Sequence, residues 1–184
     1  MFGYNSDELD RRVTNKYAVV ILLPEGLDEV IAPLRRQYDP DHSVIAAHVT
    51  VVFPFQCTRS LDDISRVIKP VTDRIGPFPL ELSSIGDFYP GFPLIYWQVN
   101  RHPNLDELYK SLYTGLDLAL PHKQFVPHVT VAREISPHRV VMVKERIVPY
   151  LPEESFRVTT LNLVSPVADR QWVSVRSFPL GVAV

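Results

Sequence analysis

The sequence predicts a fold that mixes strands with helices in two lobes related by a pseudo-two-fold axis, and three observations carry that expectation. The tetrapeptide His-Val-Thr-Val occurs twice, at residues 48–51 and 128–131. Its upstream flanks repeat too: Tyr17 precedes His48 by 31 residues and Tyr96 precedes His128 by 32. Downstream, Phe78 and Phe156 follow their histidines by 30 and 28 residues, each at the opening of an expected strand. A period near 80 residues is too long for a solenoid unit, so two copies read as two lobes.

The elements follow in order. Residues 16–23 form a β-branched apolar run, the pattern of a buried strand. Pro24 stands where a helix can begin, and Leu27, Ile31 and Leu34 carry its apolar face to about residue 38. The first motif strand is expected over 47–53, stopped by Pro54. A second helix over 60–75 has Leu61, Ile64, Val67, Ile68 and Val71 as its stripe. Strands at 78–88 and 94–100 flank the turn signal Tyr89-Pro90-Gly91. A helix over 104–120, the second motif strand over 127–133, a helix over 137–150 and closing strands at 156–164 and 171–178 complete the second copy. No linker, low-complexity tract or charge block divides the chain. We therefore expect a single domain over 1–184, with an internal repeat at about 16–94 and 95–180.

Composition narrows the function. A chain of 184 residues with 46% hydrophobic content can bury a sizeable core. Its longest purely apolar stretch is about one strand long, far below the roughly 20 residues that span a bilayer. The polar start lacks the apolar centre of a signal peptide. Cys57 is the only cysteine, which excludes an intrachain disulfide and points to a reducing, cytoplasmic compartment. The net charge is −2, whereas proteins that grip long nucleic acid along its backbone are usually basic. A small nucleotide or an RNA end is the better-matched partner. The chain reads as a monomer with no membrane partner.

On a strand, successive side chains point to opposite faces, so each motif sets His and Thr on one face and its valines on the other. Brought together, His48, His128, Thr50 and Thr130 would surround one small site. Imidazoles with an unperturbed pKa near ~6.5 can serve as base and acid at neutral pH, each proton transfer being worth roughly 10²- to 10⁴-fold. Threonine hydroxyls can donate to phosphate oxygens, and an inward-pointing Arg133 would oppose their charge. Arg133 reads equally well as a surface salt-bridge partner. Phe53 is a candidate to stack on a base, set against a plain core role; Tyr89 and Trp97 are weaker candidates, and Tyr113 reads as core. His42, His102, His122 and His138 fall in expected loops or helix starts and read as solvated. A lone His-x-Thr is more often a surface or hydrogen-bonded pair than a catalyst, but two with duplicated flanks reverse that balance. The motif histidines are paired with threonine, not with carboxylate or thiolate, and lack metal-ligand spacing. The seven glycines form no phosphate loop or dinucleotide fingerprint, so neither metal nor cofactor is expected. Cys57 has no adjacent base to activate it.

The two His-x-Thr-x motifs continue into Val52-Phe53-Pro54-Phe55 and into Ala132-Arg133. In this they resemble the 2H phosphoesterases, the LigT-like or 2′-5′ RNA ligase-like family that includes RNA 2′,3′-cyclic phosphodiesterases. The resemblance covers about residues 16–180, because element order agrees as well. It implies an α+β fold of two pseudo-symmetric lobes, each an antiparallel sheet packed by helices, with the motif strands side by side in a central cleft. It implies a metal-independent phosphoesterase acting on a 2′,3′-cyclic phosphate or a 2′-5′ phosphodiester of RNA ends or nucleotides. His48 and His128 would be catalytic, with Thr50, Thr130 and Arg133 on the phosphate. Which histidine is acid and which is base stays open at this point. Two other readings stand beside this one: an enzyme of the same fold acting on a small cyclic-phosphate metabolite, and an RNA- or nucleotide-binding module with little turnover.

Overall fold

A computed structural model describes residues 15–167 and 171–181; the polar N-terminal stretch lies outside the described residues. Its elements are β1 (Asn15–Leu22), α1 (Glu25–Tyr38), β2 (His48–Cys57), α2 (Leu61–Arg74), β3 (Phe78–Phe88) and β4 (Phe92–Val99), then α3 (Pro103–Gly115), β5 (His128–Ala132), α4 (Val140–Ile147), β6 (Glu154–Val158), β7 (Thr160–Pro166) and β8 (Trp172–Pro179). Every strand pairing is antiparallel, and the strands form one sheet in the order β6-β3-β4-β5-β2-β1-β7-β8. The fold is α+β, with two four-strand lobes meeting where β5 lies beside β2. No helix among the described residues is long and apolar enough to cross a membrane.

Hydrophobic burial fixes the register. Val49, Val51, Val129 and Val131 are fully buried, packed with Ile31 of α1, Ile64 and Ile68 of α2, and Leu105 and Leu108 of α3. Burying each valine is worth about 1.5–3 kcal/mol, and a slip by one residue would turn all four to the cleft. The opposite face carries a small apolar cluster, Ala18, Val20 and Val164, with Leu22, Ile45 and Trp172 against it. That leaves a cleft face on which polar groups can stand.

The sequence repeat and the sheet halves do not coincide. Strand β3 closes the first sequence copy yet pairs with β4 of the second. Strand β7 closes the second copy yet pairs with β1 of the first. The single strand expected over 156–164 is two strands, β6 and β7, separated by Thr159 alone. They occupy the first and seventh positions of the sheet. Consecutive Cα atoms are only about 3.8 Å apart, so the sheet must curl to bring those positions together. Phe156 therefore lies on β6, a neighbour of β3 opposite Leu80, and is not the counterpart of Phe78. Tyr17 and Tyr96 are not counterparts either: Tyr17 belongs to the core, while Tyr96, opposite Thr130, takes the place that Val20 holds opposite Thr50.

Several element ends also differ from expectation, those of α3 and β2 for reasons visible in the backbone. Helix α3 stops at Gly115 instead of continuing to 120, because Asp117 adopts a left-handed conformation (φ 59°) and the Leu118 N–H donates back to the Tyr113 carbonyl at 2.9 Å. That is the Schellman way of ending a helix, here with Asp in the position usually held by Gly. Strand β2 runs through Pro54 to Cys57, since its pairing with β1 is irregular on either side of Val52 and a bulge tolerates a residue without an N–H.

Gly86 lies opposite Tyr96, and a Cβ there would overlap the ring of that tyrosine. Gly86→Ala should therefore destabilise the protein by roughly 1–3 kcal/mol, seen as a lower urea midpoint. Gly26→Ala, on helix α1 with open space around it, should leave the midpoint unchanged or raise it.

Candidate active site

Both motif strands carry the same irregularity at the same place. In β2, Thr50 pairs with Val20 but Val52 pairs with Val19, so Val51 is an extra residue. In β5, Thr130 pairs with Tyr96 but Ala132 pairs with Ile95, so Val131 is extra. Two consecutive residues thus face the core in each strand, Val51 with Val52 and Val131 with Ala132. The bulge shifts the alternation, and the third residue after each threonine returns to the cleft. Those residues are Phe53 and Arg133. Arg133, an odd three residues after Thr130, owes its place on the cleft side to this extra residue.

Val49 pairs with Val129 across the seam between the lobes. In an antiparallel register this sets His48 opposite Thr130 and Thr50 opposite His128. The imidazoles occupy one diagonal of a four-cornered patch and the hydroxyls the other, and diagonal neighbours lie about 7–8 Å apart. All four side chains, with Phe53 and Arg133, line one cavity of about 280 Å³. Neither threonine hydroxyl has a hydrogen-bond partner among the described residues, so both are free to donate into it.

Each imidazole is oriented in the same way. His48 Nδ1 lies 2.8 Å from the Ala46 carbonyl, and His128 Nδ1 lies 2.7 Å from the Val126 carbonyl. A carbonyl only accepts, so Nδ1 carries the proton and Nε2 of each ring is left to the cavity. Burial pushes His48 down to about 4, against the raising effect of its bond to Ala46, and the charges of Arg35, His128 and Arg133 add to the depression. Burial also lowers His128, again against its backbone bond and with Arg133 contributing. Both rings are therefore predominantly neutral at pH 7. Their surroundings differ: His128 sits edge-on to Phe88 at 5.1 Å and against Tyr96 at 5.2 Å, whereas among the described residues no aromatic ring packs on His48 in this way.

Arg133 lines the cavity and is also a salt-bridge partner. Its Nη1 donates to Asp41, its Nε lies 3.4 Å from Asp39, and the side chain is 33% exposed. Asp39 is buried and gripped by Arg35, whose Nε and Nη2 donate to its Oδ2 at 3.1 and 3.0 Å. Sequence reasoning missed this four-residue chain; its one signal was the turn-like Asp39-Pro40-Asp41 just ahead of the first motif.

Phe53 is 47% exposed on the rim shared with a second cavity of about 650 Å³, walled by Phe88, Phe92, Tyr109 and Phe125 and reaching His128. Its backbone N–H donates to the Tyr113 hydroxyl at 3.2 Å, which ties the rim to helix α3. Tyr113 and Trp97 are buried. The other histidines stay apart from the diagonal pair. His42 and His138 are exposed, and exposed His122 lines the apolar groove. His102 is not simply solvated: it caps α3 by accepting from the Asn104 N–H and stacks on Phe78 at 4.8 Å. Among the described residues no group of three or more His, Cys, Asp or Glu side chains gathers as a metal site.

Comparison with known proteins places the chain in a family. A sequence model of the 2′-5′ RNA ligase superfamily matches residues 23–170, and the chain belongs to that superfamily. A Halalkalibacterium halodurans protein named Putative phosphoesterase is 25% identical over 166 residues, spanning 90% of this chain and 97% of that one. A Bacillus licheniformis protein of the same description is 30% identical over 124 residues, 66% of this chain and 72% of that one. In fold, the chain is similar to Escherichia coli LigT solved with 3′-AMP, with a TM-score of 0.63 at 18% identity, covering 91% of this chain and 98% of LigT. A Thermus thermophilus structure gives a TM-score of 0.64 at 18% identity over 92% of this chain and all of that one (100%).

The half-buried His48, neutral at pH 7, ties stability to pH. Its folded pKa of about 4 lies below the ordinary 6.5, so between those values the unfolded chain binds more protons and stability falls as pH falls. Over that window the wild type should lose roughly 1–3 kcal/mol more than His48→Gln in paired urea titrations.

Proposed function

We propose that the chain is a metal-independent phosphoesterase that hydrolyses a 2′,3′-cyclic phosphate or a 2′-5′ phosphodiester of an RNA end or nucleotide. The observation that carries this reading is the diagonal arrangement of two Nε2-presenting imidazoles across two free hydroxyls. A phosphate centred there would have one imidazole on the side of the attacking water and the other on the side of the leaving ribose oxygen. One ring removes the proton of water as its oxygen bonds to phosphorus; the other protonates the ribose oxygen as its bond breaks. Thr50 and Thr130 donate to the non-bridging oxygens, with Arg133 opposing their charge from the wall.

The unequal environments suggest the roles. His48 is pushed down to about 4, and its site sees the charges of both arginines. A single proton shared by the pair resides on His128, so His128 is the acid and His48 the base for hydrolysis. An anionic phosphate between the rings raises both pKa values, and the proton is taken up with the substrate. The nucleoside lies beside Phe53, with the adjoining aromatic groove to receive a base. That LigT has been solved with 3′-AMP supports a nucleotide as the ligand class.

Purified protein assayed on 2′,3′-cyclic nucleotides and 2′-5′ dinucleotides tests the reading, and turnover should be unchanged in excess EDTA. Loss of activity that returns with a divalent ion would replace it with a metal-dependent one. His48→Ala and His128→Ala should each lower kcat by on the order of 10²-fold or more, and Thr50→Val and Thr130→Val by roughly 10-fold.

The pH dependence is a separate test. Productive binding to the free enzyme needs one protonated and one neutral ring, and both pKa values are depressed. The kcat/KM profile should be bell-shaped with its optimum on the acid side of 6.5, while that of kcat lies higher. A flat profile with both alanine variants active would leave a binding module instead.

A further inference from the structure

Asp41 is a carboxylate on the wall of an anion site, and the proton-transfer scheme gives it no role. It lines the same cavity as His48, Thr50, His128 and Thr130. Its position is built by the α1–β2 loop: its N–H donates to Asp39 Oδ1 at 3.0 Å, and its carbonyl accepts from the Val44 N–H at 2.9 Å. The loop in turn is pinned to β8, because the Trp172 N–H donates to the Val44 carbonyl at 2.7 Å.

The charge around the cavity is balanced. Arg133 faces Asp41 and Asp39, and Arg35 is bound to Asp39 and to the Ile45 carbonyl at 2.9 Å. Two guanidinium groups meet two carboxylates, leaving no net charge on this wall. One proton on the histidine pair then matches one negative charge. A phosphodiester carries a single charge, whereas the phosphomonoester left by its hydrolysis carries close to two at neutral pH. A guanidinium without the carboxylate would hold the doubly charged product more tightly than the substrate.

We propose that Asp41 is a specificity-determining residue, whose carboxylate favours singly charged phosphodiesters over doubly charged phosphomonoesters and so promotes product release. The proposal rests on the phosphate-site reading above. Hydrolysis adds water across the P–O bond and creates one new acidic oxygen; Asp41 raises the free energy of the state in which that oxygen is ionised in the cavity.

Two ligands that differ by that one charge test it without turnover: phenyl phosphate and methyl phenyl phosphate. Binding to the wild type, Asp41→Asn and Asp41→Glu is followed at pH 7.5 by calorimetry and by the ring signals of His48 and His128. Asp41→Asn should tighten phenyl phosphate by on the order of tenfold and methyl phenyl phosphate by clearly less. Asp41→Glu keeps the charge, so its ratio of the two affinities should stay near the wild-type ratio even if both affinities move. An unchanged ratio in Asp41→Asn, or equal weakening of both ligands, would make Asp41 a mere support for Arg133 and overturn the proposal. If neither ester perturbs the wild-type histidines, the phosphate-site reading itself fails and takes this one with it.

Discussion

The pairing of Val49 with Val129 is the constraint on which the rest of the site depends. It is a narrow seam, because β5 is only five residues long. Yet the lobes meet nowhere else in the sheet order, and the seam alone sets which histidine faces which threonine. Apolar packing on its core side holds it in place, since a slip would expose four fully buried valines and bury four polar side chains. The same alternation that keeps the core dry therefore places the chemistry. In that sense the valines between and after the polar pair are as necessary to the site as the pair itself.

Much of this is legible in the residues because it follows from period-two alternation, which needs no tertiary information. His48, Thr50, His128 and Thr130 can be assigned to one side of their strands for that reason. Phe53 and Arg133 cannot, because a bulge is a property of the pairing with β1 or β4 and not of the bulged strand alone. The spacing of Tyr17 and Tyr96 suggests equivalence, but the chain between strand and motif differs in length in the two copies. Pairing partners, not sequence distance, identify Val20 as the counterpart of Tyr96. The closing strands escape a sequence reading for a related reason. A continuous β-branched stretch can cross from one end of a curled sheet to the other at a single residue, here Thr159.

The two copies of the motif have diverged just where divergence is useful. Both keep the imidazole bonded to the carbonyl two residues back, which sets the tautomer, and both keep the bulge. What the bulge presents differs: an aromatic ring from one lobe and a cation from the other. A symmetric scaffold thereby presents an asymmetric cleft, aromatic on one side and cationic on the other. The buried Arg35–Asp39 pair belongs to this asymmetry. Buried ion pairs are weak contributors to stability once desolvation is counted, so its clearer effect is to hold Asp39 where the Arg133 guanidinium lies against it.

The exchange of β3 and β7 between the sheet halves also governs the order in which the chain can be assembled. Ala18 of β1 finds its β7 partner in Val164, the latter emerging during synthesis long after the former. Until then β1 presents an unpaired, strongly apolar edge, the kind of surface that recruits other chains. Pairings so distant in sequence are slow to close, because the loop entropy is lost before the contact forms. The first motif strand is therefore laid down early but held in its finished setting only at the end. A nascent chain halted before residue 160 would carry one histidine of the pair on a half-sheet with an open flank, exposed to aggregation and to protein quality control.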